Sequence, residues 1–281
     1  MSGIDMASWA EDAGPGAREF RQAVHVILSA VGADPELRET MVMKGGILMA
    51  LRYHSPRFTK DIDFSTTRTI QQLDAEAFVA RFEEALTLSA AESEYDLDCR
   101  VQKWEVLPPK RPEARFPSIK LNIGYAYRGT PKHRKLLHKE CPSVVAIDFS
   151  LNEAILSGET LALEGDGRIR AYGFPDLVAE KFRSLLQQPG RNRFRRQDVY
   201  DLALLVELGA DETQRRAILE SLMAKAQSRG IEPDRDSLAN PEVRGRAEVD
   251  YATLADEIEG ELPDFDRAYE AINRFYRALP W

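Results

Sequence analysis

The hydrophobic pattern changes period near residue 170, and that change limits the folds open to the chain more than any composition figure does. Between Asp96 and Leu151 three segments, DCRVQKWEV, SIKLNIGYAY and SVVAIDFSL, are rich in β-branched and aromatic residues. They are separated by proline, glycine and charge, which predicts strands. From Pro175 onward apolar residues recur at helical spacing with almost no strand signal. The first half also carries helical stretches: Ala17 to Val31, with Phe20, Val24, Ile27 and Leu28 on one stripe, then Ile47 to Tyr53, and Gln71 to Leu86. The reading is α+β, with a mixed sheet over residues 1–170 and a C-terminal helical domain over 171–281. Residues 1 to about 16, with their GPG turn, are expected to fray, and FDRAYEAINRFYRAL near the C-terminus is expected to pack through Phe265, Tyr269, Ile272 and Phe275.

At 281 residues and 43% hydrophobic content, the chain can bury a sizeable core. Thirty-eight basic against forty-six acidic residues leave a net charge of -8, so any nucleic-acid binding must use a local patch. No apolar run approaches the roughly 20 residues of a membrane helix, and no charged start precedes an apolar block near the N-terminus. A soluble cytoplasmic protein without membrane contact is expected. Cys99 and Cys141 lie far apart, with no CxxC spacing and no clustered histidines, which argues against a zinc site or disulfide framework.

Residues 44–64 read KGGILMALRYHSPRFTKDIDF. Gly45 and Gly46 fall where a short predicted strand, MVM, turns into a helix, a place where backbone amides can hold an anion and a side chain would block close approach. On a strand over FTKDIDFS, Thr59, Asp61 and Asp63 would share one face while Ile62 and Phe64 enter the core. Two carboxylates this close stay ionised together when a cation sits between them, and Mg²⁺ commonly takes one or two carboxylates plus phosphates. A tight turn and a solvated strand face would account for each feature singly.

Two later helices carry charge on their apolar sides. In FPDLVAEKFRSLLQQ, Lys181 falls inside the arc of Leu177, Val178, Phe182 and Leu185, so it must snorkel, pair or line a cleft. In RRQDVYDLALLVEL, Asp198 faces the packing side between Leu202 and Leu205, with Asp201 beside it. Spacing alone also allows a Lys181–Asp198 salt bridge between helices, or Asp198 as a helix cap.

The glycine pair, the fourteen-residue spacer from Gly46 to Asp61 and the Asp-x-Asp pair resemble the DNA polymerase β superfamily of nucleotidyltransferases. The form KGG…PRFTKDIDF, followed by Ala179-Glu180-Lys181 and by Arg193 to Arg196 with Asp198-Val-Tyr-Asp201-Leu202, resembles the AbiEii-type nucleotidyltransferase toxins of bacterial toxin–antitoxin systems. The resemblance runs with gaps from about Val42 to Leu205. It implies a polymerase β-like core, an NTP substrate, Mg²⁺ or Mn²⁺, and a cognate antitoxin. It implies catalytic roles for Asp61, Asp63, Lys181 and Asp198, with the helical domain supplying the lysine and aspartate side of the site. A third metal ligand is expected on a neighbouring strand: Asp148 in VVAIDFSLNE, with Asn122 second because an amide is a poorer Mg²⁺ ligand. Lys44, Gly45, Gly46, Arg57, Thr59 and Lys181 would bind the nucleotide.

Two basic stretches stand out, RGTPKHRKLLHK at 128–139 and GRNRFRR at 190–196. Either can be a solvated loop. Beside a catalytic cleft, Arg191, Arg193, Arg195 and Arg196 would suit an RNA acceptor, with Tyr125, Tyr127 and Phe194 available for stacking. The expected activity is transfer of a nucleoside monophosphate to RNA, first of all to a tRNA 3′ end, blocking translation. The alternatives are a small-molecule or protein hydroxyl as acceptor, or an inactive nucleotide- or partner-binding module. Which NTP is used is not legible in the sequence.

Overall fold

The computed structural model describes residues 3–109, 114–165 and 167–281. In chain order the elements are α1 (Met6–Glu11), α2 (Pro15–Ala33), α3 (Pro35–Thr40), β1 (Val42–Lys44), α4 (Gly45–Tyr53), β2 (Asp61–Ser65), α5 (Ala75–Glu92), β3 (Leu97–Leu107), β4 (Ser118–Tyr127), α6 (Pro131–Leu137), β5 (Val144–Ser150), β6 (Gly158–Leu163) and β7 (Gly167–Tyr172). Then follow α7 (Phe174–Leu186), α8 (Gln188–Arg191), α9 (Arg196–Glu207), α10 (Glu212–Ser228), α11 (Pro241–Glu248) and α12 (Phe265–Arg277). The chain divides into two compact units. One comprises residues 1–51, 60–153 and 159–171, and the other residues 52–59, 154–158 and 172–281.

The first unit is built on a seven-stranded mixed sheet in the order β3-β4-β5-β2-β1-β7-β6. β2 runs parallel to β5 and β1 parallel to β7, while β1–β2, β3–β4 and β4–β5 are antiparallel. Ile62, Phe64, Ile147 and Phe149 are fully buried on one side of β2 and β5. At about 1.5–3 kcal/mol per buried apolar side chain, these residues fix which face of each strand turns inward. Phe78 of α5 stacks on Phe149 at 4.9 Å. Helix α5 starts at the Asp74 cap, which accepts from the Glu76 and Ala77 amides, so it begins later than periodicity alone predicts. α2 packs on α5, and Ser89 Oγ donates to the Val26 carbonyl between them.

From residue 3 onward the N-terminal stretch does not fray as expected; residues 1 and 2 lie outside the described residues. Asp5 caps α1 by accepting from Ser8, Met6 and Ala10 are buried, and Ile4 forms a bridge to Leu163. Periodicity is blind to a helix of 6 residues, which leaves too few turns to reveal a stripe. The strand pair β6 and β7 also went unpredicted, because GETLALEGDGRIRAY mixes charge and glycine with few apolar residues.

In the second unit α7 packs on α10 and α9, and α9 packs on α12. Phe182 meets Phe275 at 6.3 Å and Tyr276 at 5.1 Å, so the α12 stripe is a packing face, as its spacing predicts. Segment 154–158 is held by Asp176, whose Oδ2 accepts from the amides of Leu156 and Ser157 at 2.9 and 2.7 Å. Lys225, 2% exposed, donates to the Ala154 carbonyl at 2.6 Å and lies over the Tyr172 ring. Segment 52–59 is stitched in by a bridge between Arg57 and Ile258 and by the Phe58 amide, which donates to the Glu257 carbonyl at 2.7 Å. Among the described residues no helix is long and apolar enough to cross a membrane.

Candidate active site

In the first unit the candidate residues begin at the β1–α4 junction. Lys44 ends the strand and Gly45 turns the chain at φ +72°, a left-handed value that strains any other L-residue. A Cβ at Gly45 would come within 2.0 Å of Asp63 Oδ2. The glycine is therefore required by the carboxylate that lies against this turn, at the positive end of the α4 dipole.

Register then sets a row of charge across the sheet. Lys44 pairs with Asp63 across β1–β2, Asp63 with Asp148 across β2–β5, and Asp148 with Lys120 across β5–β4. Directly opposed residues project to the same face, so Lys44, Asp63, Asp148 and Lys120 stand together opposite the apolar core. Asp61, two residues from Asp63, shares that face, as does Asn122 across Ala146. Lys44 Nζ donates to Ser150 Oγ at 3.3 Å, and Lys120 Nζ lies 3.8 Å from Asp148 Oδ2. Asp148 Oδ1 is buried with no hydrogen-bond partner. Thr59 departs from the strand argument. β2 begins only at Asp61, so alternation does not place the Thr59 hydroxyl on the carboxylate face, and its segment belongs to the other unit.

Among the described residues no three His, Cys, Asp or Glu side chains are grouped closely enough to hold a metal ion by themselves. The donor set nonetheless fits a hard divalent cation. Its oxygens are carboxylates on one face, one of them without a partner. Mg²⁺ is ordinarily held by one or two carboxylates with substrate phosphates completing its shell, rather than by a protein cage.

In the helical unit, the two apolar-face charges meet. Lys181 Nζ donates to Asp201 Oδ2 at 2.6 Å and to Asp198 Oδ1 at 3.2 Å, so the interhelical salt bridge that spacing allowed is present. Arg57 grips the same Asp201 with two hydrogen bonds of 3.0 Å from Nε and Nη2. Burial by itself would lower the Lys181 pKa, yet the charges of Asp201 and Asp198 outweigh it and hold the ammonium above its ordinary value. Burial would likewise raise Asp201, but Lys181 and Arg57 pull it below the usual carboxylate range. Arg57, favoured by Asp201 against its own desolvation, stays charged. Asp198 differs from Asp201: its Oδ2 is buried without a hydrogen bond, with Arg195 Nε 4.0 Å away.

The basic stretches separate on inspection. Residues 128–139 contain helix α6 rather than a loop, and its charges are largely engaged: Lys132 with Glu19 at 2.8 Å, Arg128 with Asp96 at 3.8 Å, His133 with Asp98 at 3.0 Å. Tyr125 is buried, which removes it as a stacking surface, whereas Tyr127 is 36% exposed with its hydroxyl donating to Gln22. In the second stretch Arg196 pairs with Glu257 at 3.1 Å, while Arg191, Arg193 and Phe194 are exposed.

Sequence reasoning gave Asp201 no role, although its spacing of three from Asp198 on a helix puts both on one face. Lys120 was also missed, because it reaches the row only through the register of β4 against β5.

A carboxylate row lies on the mixed sheet beside a glycine turn, and a lysine–aspartate pair lies on the helices of the second unit. The family match gives the class, that of the nucleotidyltransferases. The family model described as "Nucleotidyl transferase AbiEii toxin, Type IV TA system" matches residues 26–271, and the chain belongs to this family. A search of curated proteins returns no significant match. Among solved structures, a candidate nucleotidyltransferase from Helicobacter pylori is 13% identical, with a TM-score of 0.53 over 95% of this chain and 96% of its own. JHP933 from Helicobacter pylori is also 13% identical, at 0.52 over 95% and 93%. Both share the fold. The nucleotidyltransferase toxin MenT4 from Mycobacterium tuberculosis is 16% identical, at 0.47 over 99% of each chain.

Proposed function

We propose that this protein transfers a nucleoside monophosphate from an NTP to an RNA acceptor, first of all a tRNA 3′ end, and thereby blocks translation in the cytoplasm until a cognate antitoxin neutralises it. The observation that carries the reading is the sheet row, in which Asp61, Asp63 and Asp148 share one face and Gly45 is kept bare by Asp63. Residues 1–170 act as the nucleotidyltransferase core on this reading, and 171–281 as the helical domain that supplies Lys181 and Asp198.

The three carboxylates would hold Mg²⁺ or Mn²⁺, which supplies charge neutralisation at the triphosphate and activation of the acceptor hydroxyl. The acceptor's 3′ oxygen attacks the α-phosphorus, the bond to the bridging oxygen breaks, and pyrophosphate leaves. Lys44, Gly45, Gly46 and Lys181 serve the phosphates. Lys181 can trade its 3.2 Å contact with Asp198 for a phosphate oxygen while Asp201 at 2.6 Å keeps it charged. Asp198, with one oxygen uncommitted, then orients the acceptor or the lysine. Arg57 is bound to Asp201 and so supports Lys181 rather than phosphate. Thr59 retains a nucleotide-binding role only if its hydroxyl reaches phosphate.

Incubation with total tRNA, Mg²⁺ and each labelled NTP tests this. Label on RNA that disappears in Asp63→Asn supports it. Label on a metabolite or protein in lysate moves the acceptor to a small-molecule or protein hydroxyl, and no transfer to anything by folded protein defeats the enzyme reading.

A further inference from the structure

One exposed aromatic residue in the helical unit sits on an unusually fixed support. Phe194 is 50% exposed in the loop between α8 and α9. A lone surface phenylalanine needs no explanation. This one is presented by a loop pinned from beneath by Gln188, which is 1% exposed. The Gln188 carbonyl accepts from the Arg193 amide at 3.2 Å, its Oε1 accepts from the Arg195 amide at 2.8 Å, and its Nε2 donates to the carbonyls of Leu185 and Val243. The backbone on either side of Phe194 is thereby held without using the ring.

One cation is placed over the ring. Arg246 lies with its guanidinium carbon 5.9 Å from the Phe194 centroid, held there by Nε donating to Glu242 at 3.0 Å and Nη1 donating to Asn192 at 2.9 Å. Arg191 and Arg193, three and one residues before Phe194 in the chain, are exposed. In a chain of net charge -8, such a cluster is a local reversal of the overall field.

We propose that Phe194, with Arg246 beside it, is a stacking platform for an unpaired base of single-stranded nucleic acid, with Arg191 and Arg193 taking the adjacent phosphates. A flat aromatic face favours a base over an acidic peptide, which would satisfy the arginines and leave the ring unused. Duplex RNA hides its base faces and cannot use the ring either. The inference rests on the reading of the protein as an RNA-acting nucleotidyltransferase and names how its acceptor strand is gripped.

The test is fluorescence anisotropy of a short unstructured oligoribonucleotide, and of the same sequence in a duplex, with the parent, Phe194→Ala, Phe194→Leu and Phe194→Trp. Loss of one stacked base corresponds to a weakening on the order of tenfold or more. That loss is expected for the alanine and leucine variants on the single strand only, with tryptophan retaining affinity. Arg193→Gln is expected to weaken binding and to reduce the salt slope by about one. Unchanged single-strand affinity in Phe194→Ala and Phe194→Leu overturns the proposal. So does a parent that binds no single strand, binds duplex equally well, or is displaced by an acidic peptide. Phe194-dependent binding without nucleotide transfer would leave the platform standing and remove the enzymatic reading; transfer to RNA with Phe194-independent binding would do the reverse.

Discussion

On the sheet, Asp61, Asp63 and Asp148 stand on a partly solvated face with cations at the ends of the row, and one oxygen of Asp148 has no partner. In the helical unit, Asp201 is fully buried and satisfied on both oxygens by Lys181 and Arg57. On the proposed reading, the first arrangement offers negative charge to an incoming cation. The second consumes it internally, so its charges are committed to holding Lys181 in place and ionised. Acids of one kind thus serve different ends: removal of a sheet carboxylate should cost activity, and removal of Asp201 should first cost stability.

The largest expected effect comes from Asp201→Ala. Two buried cations lose their shared counter-ion, and breaking such a pair costs about 3–5 kcal/mol. Urea unfolding followed by circular dichroism measures it. Asp63→Asn should unfold within about 1 kcal/mol of the parent while losing nucleotide transfer. If the two variants unfold alike, the contrast between the regions is wrong.

Gly45→Ala should fall between them. The new methyl meets the Asp63 carboxylate and the backbone must leave φ +72° or bear the strain, a cost of roughly 1–3 kcal/mol. The double variant Gly45→Ala with Asp63→Ala sharpens the point. Thermal unfolding should recover part of the loss in the pair, since the colliding carboxylate is gone; no recovery would mean the glycine answers only to backbone geometry.

The smallest effect lies in pH dependence. Asp201 is held below the usual carboxylate range, so its contribution is present above its unfolded value of about 3.9 and is lost as pH falls through the folded value. Lys181 is held above its ordinary value. Its contribution is full below an unfolded value of about 10.4 and is lost as pH rises through the folded one. Stability from this network should be flat across the neutral range and decline only at the extremes. Acid titration of the unfolding midpoint should decline less steeply in Asp201→Ala than in the parent; equal slopes would remove Asp201 as the cause.

Patterns close in sequence were legible. The β4 bounds, the apolar backs of β2 and β5, and the α12 stripe follow from periods of two and 3.6, which are local properties of a strand or helix. The placement of Lys181 and Asp198 on packing faces was legible for the same reason. Features that depend on short helices or distant partners were not. α1 is held by a cap, and Ile4 just before it bridges to a strand residue about 160 positions later. Asp201 takes its importance from Arg57, 144 positions earlier. The platform under Phe194 depends on Gln188 bonding to α11.

The sequence by itself determined the alternation that puts Asp61 and Asp63 on one face, the glycine pair before them, and the motif order that marks the family. Strand register alone decided that Asp148 stands opposite Asp63 and that Lys44 and Lys120 close the row. It also took the tertiary structure to explain Gly45, which must be glycine because a carboxylate eighteen residues later fills the space a side chain would need. Period is set by local backbone geometry, whereas register and ion pairing are set by which distant surfaces are buried together.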